Sequence, residues 1–225
     1  NTGSPIEMPW IDDANAVMQT WFAGQEFGNA LVDVLTGEVN PSGKLPTSFP
    51  RKIEDTPAYS SYPGTNQQMN YDEKLLVGYR WYDRRSVPAL FPFGHGLSYT
   101  QFQFSNLEVQ VDEKVQVSCK FILKNTGGVM GAEVSQCYVA FEHPADGEPI
   151  KTLQGFAKEM IDAQEQKQIE ITLTARNFSY WDINTKSWKI RQGSYEILVG
   201  SSASNIHLRT TIMLEQVPGV LEPLV

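Results

Sequence analysis

The spacing of apolar residues changes near residue 105, and this change constrains the fold of the 225-residue chain more than any other feature. Before it, apolar residues recur every three or four positions, as on one face of an α-helix. After it, they alternate with polar residues, as in a β-strand that buries one face. The sequence therefore predicts an α/β region over residues 1–104 and an all-β region over residues 105–225.

Two sets of apolar residues in the first region have helical spacing. The first set consists of Ala14, Val17, Met18 and Trp21, and the second consists of Phe27, Ala30, Leu31, Val34 and Leu35. Gly37 stands where a left-handed residue would end the second helix. Residues 40–43 predict a type I turn and residues 45–49 a short strand. These elements are too few for a complete α/β domain, so we expect them to form the closing part of one.

The second region predicts an antiparallel β-sandwich of the immunoglobulin or fibronectin type III kind. Alternation begins with Val115, Val117, Cys119, Phe121 and Leu123 and returns in several later stretches. About seven to nine short strands separated by turn residues match the size of such a domain. Pro218, Gly219 and Pro223 predict a final tail without regular structure.

Composition and motifs exclude several classes of partner. A net charge of −8 argues against nucleic acid, which needs clustered Lys and Arg. The longest run without charge, residues 86–107, contains Pro and Gly and does not predict a membrane helix. We expect no metal and no cofactor, because the two cysteines are too few for a zinc site and the three histidines lack ligand spacing: His95, His143 and His207.

Longer motifs follow one another along nearly the whole chain. They occupy residues 24–30, 33–37, 40–46, 77–83, 91–100, 117–131, 153–156, 193–195 and 199–202, and include Gly24-Gln25-Glu26-Phe27-Gly28. The first three resemble the C-terminal α/β domain of family 3 glycoside hydrolases. The next two resemble that family's passage into a fibronectin type III-like domain, and the others resemble this domain itself. The residues within these motifs are most similar to those of the β-glucosidases of the family.

The resemblance implies a (β/α)-barrel, an α/β sandwich and a fibronectin-like domain in the complete enzyme. It also implies a retaining mechanism, in which two carboxyl groups lie about 5–5.5 Å apart. The nucleophilic Asp would lie on the barrel, and the acid/base Glu ahead of the segment that matches residues 1–10. The chain would then be the C-terminal part of a hydrolase of terminal β-D-glucosyl residues in oligosaccharides or glucosides, and by itself inactive. We therefore assign no catalytic, cofactor-binding or metal-binding residue, and no substrate-binding residue.

Partners follow from the same resemblance. They are a small carbohydrate substrate and the missing barrel and α/β portion, while a homo-oligomer is left open. The rival interpretation is a β-sandwich module that binds carbohydrate or protein without chemistry. Such a module would not need the apolar helical faces of the first region, which require a sheet that the chain lacks.

Glu26 and the aromatic residues of 79–104 are the most conspicuous candidates for a direct role. Glu26 would open a helix, where the positive end of the dipole favours an acid. We expect it to be structural, with an indirect role near the active-site cleft as the alternative. The aromatic stretch contains Trp81 as the best candidate for a sugar platform, but we favour burial of these rings between the two regions.

The sequence leaves the chemical state of three further residues open. Cys119 and Cys137 both point inward on predicted strands, so they are either buried free thiols, the commoner case, or a disulfide. Asn177 begins a glycosylation sequon, usable only in a secreted chain. The compartment is unknown, with secretion slightly favoured over the cytoplasm.

Overall fold

The computed structural model of the protein describes residues 1–215, so the predicted tail at Pro218–Pro223 lies outside it. The first hundred residues hold two helices, α1 (Phe27–Thr36) and α2 (Tyr79–Arg85). Within the described range nine strands follow: β1 (Phe102–Val111), β2 (Val117–Asn125), β3 (Gly131–Phe141), β4 (Thr152–Ile161), β5 (Gln166–Leu173), β6 (Ser179–Asp182), β7 (Ser187–Ile190), β8 (Gly193–Gly200) and β9 (Ile206–Leu214).

The strands form a sandwich of two antiparallel sheets, which confirms the fold predicted for the second region. One sheet has three strands in the order β1-β2-β5, and the other has four in the order β4-β3-β8-β9. A separate hairpin is formed by β6 and β7. Sequence neighbours such as β3 and β4 pair directly, whereas β2 pairs with the distant β5 and β3 with β8.

The core lies between the two sheets and follows the predicted alternation. On β2, Val117, Cys119 and Leu123 are 0% exposed and Phe121 is 1% exposed, whereas the residues that alternate with them are half-buried. Cys137 on β3 and Val199 on β8 belong to the same buried cluster from the opposite sheet. Burial of a large aliphatic side chain contributes about 1.5–3 kcal/mol, so this one cluster accounts for most of the hydrophobic stabilisation of the sandwich.

The helix predicted over residues 14–21 is absent, and this prediction was wrong. After a single 3₁₀ turn at Ile11–Asp13, residues 16–20 have no regular structure and Trp21 has a φ of 52°. Val17 and Met18 are 42% and 41% exposed, and of the expected apolar face Trp21 lies against Phe49, with ring centroids 6.0 Å apart. A helix this short is marginal without tertiary packing, which explains why spacing alone did not produce it.

The second predicted helix is present as α1, and Gly37 ends it as predicted. The glycine has a φ of 83° and donates its N–H to the carbonyl of Val34. No residue of α1 is buried, and Val32 and Leu35 are 55% and 65% exposed. In the described part of the chain, Val32 and Leu35 therefore face solvent, whereas Phe27, Leu31 and Val34 are half-buried.

Residues 40–49 run beside residues 91–95 instead of forming the predicted turn and regular strand. Phe49 makes a single antiparallel bridge with Phe91, and Leu45 exchanges backbone hydrogen bonds with Gly94 and His95. No turn forms at residues 40–43. The side chain of Asn40 instead reaches the carbonyl of Met130 at the start of β3, at 3.0 Å. These contacts bring the first region onto the sandwich.

Candidate functional site

The most elaborate constellation in the described chain is the junction between the first region and the outer face of the four-stranded sheet. Tyr79 of α2 stacks on Phe93, with ring centroids 5.0 Å apart, and meets Tyr138 of β3 edge to face at 5.8 Å. Tyr138 is 0% exposed. The hydroxyl of Tyr79 accepts a 2.7 Å hydrogen bond from the backbone N–H of Leu153. Tyr79 and Phe93 belong to the aromatic stretch, and their contact with Tyr138 confirms that this stretch joins the two regions.

Trp81 does not take part in this contact, so its expected place at the junction was wrong. It is half-buried within the first region, where its indole N–H donates to the carbonyl of Asp55 at 3.0 Å. The guanidinium of Arg85 lies 4.5 Å from its ring centroid. Successive helical residues point about 100° apart, so residues two positions apart lie on nearly opposite sides of a helix. Because Tyr79 faces the sandwich, Trp81 faces away from it. Arg85 covers the ring, which also argues against a sugar platform there.

Two shielded ion pairs also link the regions. Lys44 lies 2.7 Å from Glu133, and their side chains are 12% and 9% exposed. Lys151 lies 2.5 Å from Asp83, with 11% and 14% exposed. Burial raises the pKa of Asp83, and the bond from Lys151 opposes this shift only in part. Each pair therefore contributes register between the regions more than net stability.

Amides complete the junction. Gln136 donates from one Nε2 to the carbonyls of Gly94 at 3.2 Å and Ser201 at 2.8 Å, and its Oε1 accepts from Tyr138 at 2.6 Å. A Cβ at Gly94 would lie 2.2 Å from that same Oε1, so the close approach requires glycine. Sequence reasoning missed Gln136, because a glutamine on a strand carries no local signal of such a role.

A second amide, Asn125, holds the turn that leads from β2 to β3. It is 0% exposed and accepts from Thr100 at 2.5 Å and from the N–H of Gly127 at 3.0 Å. It donates to the carbonyls of Val129 and Ile161 at 2.8 and 3.0 Å. The Asn125–Gly128 sequence at this turn thus serves the fold.

Glu26 is exposed and lies just before the first residue of α1. Its carboxylate accepts from the side-chain amide of Asn29 at 2.7 Å but makes no capping bond to a free backbone N–H. It borders a shallow groove whose walls are Ala23, Gln25, Phe27 and Ala30. No contact in the described residues brings a second carboxylate beside it, and its structural role stays a prediction.

The histidines are dispersed. His95 stacks on Phe91 with centroids 5.3 Å apart, His207 stacks on Phe104 at 4.4 Å, and His143 is exposed. Burial is the main cause that lowers the pKa of both stacked imidazoles. Over residues 1–215, no group of three His, Cys, Asp or Glu side chains is placed to hold a metal ion.

Cys119 and Cys137 are free thiols in the core, so the structure has the first of the two alternatives. The hydrogen bond between them, together with burial, raises the pKa of the Cys137 thiol.

Asn177, the first residue of the glycosylation sequon, uses both side-chain atoms of its amide: Oδ1 accepts from Thr174 and Nδ2 donates to Gln154. In the described part of the chain, no helix has the length and hydropathy to cross a membrane.

Comparison with known proteins agrees with this architecture. Residues 1–99 match the glycosyl hydrolase family 3 C-terminal domain, and residues 133–203 match a fibronectin type III-like domain. Thermostable beta-glucosidase B of Acetivibrio thermocellus is 41% identical over 93% of this chain. Beta-glucosidase BoGH3A of Bacteroides ovatus is 39% identical over 96% of it. The chain spans 28% and 30% of the length of these two relatives.

Solved structures show the same fold. A β-glucosidase from Kluyveromyces marxianus in complex with glucose has a TM-score of 0.91 and 36% identity, covering 96% of this chain and 26% of its own. β-Glucosidase 3B from Thermotoga neapolitana in complex with α-D-glucose has a TM-score of 0.89 and 38% identity, covering 96% and 30%. The predicted α/β segment followed by a β-sandwich is thereby confirmed. The chain belongs to glycosyl hydrolase family 3, of which it carries C-terminal α/β domain sequence followed by the fibronectin type III-like domain.

Proposed function

We propose that this chain is the structural C-terminal part of a retaining β-glucosidase that releases terminal β-D-glucosyl residues from oligosaccharides or glucosides. The observation that carries the proposal is the match of nearly the whole chain to 28–30% of the length of β-glucosidases. Catalysis would then belong to carboxylates in the upstream part of the protein.

The acids of this chain support a structural role. Four carboxylates with well-shielded side chains are each bound to a cation: Glu133 to Lys44, Asp83 to Lys151, Asp182 to Lys189 and Glu148 to Arg191. A retaining glycosidase needs two carboxyl groups about 5–5.5 Å apart with different pKa values. Glu26 and Asp33 are seven residues apart along α1, which is roughly 10 Å and too far.

The exposed apolar side chains of the first region supply a surface for the upstream part. Phe22 is 85% exposed, and Val17, Val32 and Leu35 are 42–65% exposed along the segment from residue 14 to α1. Soluble domains rarely leave so many apolar groups together in water without a partner. The upstream barrel and the remainder of the α/β domain would cover them, and the sandwich would brace the assembly through the junction.

A complementation assay tests this function. The purified chain should not hydrolyse a chromogenic aryl β-glucoside, and activity should appear when the upstream part of the protein is added. A Leu35→Glu variant should weaken this complementation. The control variant Glu196→Gln, on β8 of the sandwich, should leave it unchanged. Turnover by the chain alone, abolished by Glu26→Gln, would overturn both the proposal and the structural role of Glu26.

Two further points extend the proposal. We place the protein outside the cell in slight preference to the cytoplasm, and cell fractionation of a producing strain tests this. A homo-oligomer of the complete protein is left to sedimentation measurements.

A further inference from the structure

The hairpin of β6 and β7 carries an aromatic pair that neither the core nor the junction uses. Trp181 and Trp188 stand directly opposite each other on the two strands, with ring centroids 5.4 Å apart and planes at 64°. Trp181 is 46% exposed, and Ile183 in the adjacent turn is 77% exposed. A half-exposed indole is therefore held at the surface of the sandwich.

The hairpin is held rigidly, although two strands alone are only marginally stable. Phe178 before β6 and Ile190 at the end of β7 are 5% and 7% exposed and belong to the main core. The guanidinium of Arg176 lies 3.3 Å from the ring centroid of Trp188, which covers that ring. Lys189 bonds Asp182 across the strands at 2.6 Å. A ligand on Trp181 would thus pay little conformational entropy for ordering the site.

We propose that the exposed face of Trp181 is a carbohydrate-binding platform that takes one pyranose ring of a β-linked glucose oligomer. The face of an aromatic ring carries negative charge, and a pyranose offers it a row of weakly positive C–H groups. The turn beside the indole presents exposed Asn184, whose side-chain amide can bond the sugar hydroxyls.

The size of the surface decides between a sugar and a protein. A stable protein interface covers about 800 Å² on each partner, whereas a half-exposed indole offers on the order of 100 Å². One sugar ring matches the smaller area. Binding through a single platform should be weak, with a Kd of about 1 mM. The choice of glucose as the sugar rests on the proposed function, whereas the binding is measured without catalysis.

Indole NMR signals of the ¹⁵N-labelled chain test the platform. The chain has five tryptophans, and the Trp181 signal is the one that disappears in Trp181→Phe. Cellotetraose, added to about 20 mM, should shift this signal with saturation. The signal of Trp10, which is 45% exposed in the first region, should not shift. Sorbitol, a polyol without a ring, should shift neither signal.

Variants give an independent result. Trp181→Ala should weaken cellotetraose binding at least about tenfold in saturation-transfer NMR, while the matched Trp10→Ala should bind like the unaltered chain. Ile183→Ser keeps the indole and serves if Trp181→Ala does not fold. The platform is excluded if the Trp181 signal does not respond to cellotetraose. It is also excluded if folded Trp181→Ala binds normally, or if Trp181 instead mediates self-association. The complementation assay can succeed or fail independently of each of these outcomes.

Discussion

The sandwich core and the apolar face of α1 both contain aliphatic side chains, but only the core is fully buried in residues 1–215. Leu123 on β2 is 0% exposed, and Leu35 on α1 is 65% exposed. The strands find their partners within the described chain, since β2 pairs on both sides with β1 and β5. The helix has no covering sheet in residues 1–215. An apolar face thus indicates that an element packs, without indicating that its partner belongs to the same segment of chain.

The largest expected difference between the regions lies in their leucines. Leu123→Ala should lower the free energy of unfolding of the sandwich by about 2–5 kcal/mol, because it opens a cavity in a packed core. Leu35→Ala removes the same atoms from an exposed position and should change it by less than about 0.5 kcal/mol. Urea unfolding followed by circular dichroism measures both. Equal effects would show that α1 is already packed in the isolated chain.

The junction should be intermediate. Asp83→Ala leaves Lys151 charged and 11% exposed, so we expect a loss of about 1–3 kcal/mol, seen as earlier proteolysis of the first region. Glu159→Ala breaks an exposed pair with Lys167, 42% and 47% exposed, and should cost less than about 0.5 kcal/mol. If Asp83→Ala digests like the unaltered chain, the ion pair does not hold the regions together.

The smallest effect should be a dependence of stability on pH through His95 and His207. Burial lowers both imidazole pKa values below the ordinary 6.5. The unfolded chain therefore binds protons first, and stability should fall as the pH drops below about 6.5 and level off under the folded pKa values. His95→Gln, compared by thermal melting at pH 7.5 and about pH 5.5, should flatten this dependence. An unchanged slope would show that His95 does not contribute to the pH dependence.

The sequence predicts elements with local signals and misses contacts between distant residues. The alternation along β2 and the glycine that ends α1 are local, and both predictions are confirmed. Asn40, in contrast, binds residues 58 to 90 positions away, so its predicted turn gave way to contacts that no local pattern contains. Trp81 likewise found the carbonyl of Asp55 because the helix turns it away from the sandwich. The domain boundary at residues 104/105 stays a prediction.

The features of the candidate site also separate into those that the sequence could predict and those that it could not. The junction role of the aromatic stretch could be predicted from its composition, but which rings perform it depended on the direction of each side chain from α2. The Trp181–Trp188 pair depends on the register of a hairpin, which places the two rings opposite each other only once β6 and β7 pair. Neither direction nor register is a property of one residue.

The central claim is that the upstream part of the protein covers the apolar face of residues 14–36. Hydrogen exchange along the whole chain tests this claim most directly. In the chain alone, the amides of β2, β3 and β8 should be strongly protected, while those of residues 14–36 should exchange rapidly, because they lack buried contacts. Addition of the upstream part should protect residues 14–36 and leave the sandwich unchanged. Strong protection of residues 14–36 in the chain alone, or no gain when the upstream part restores activity, would contradict the account.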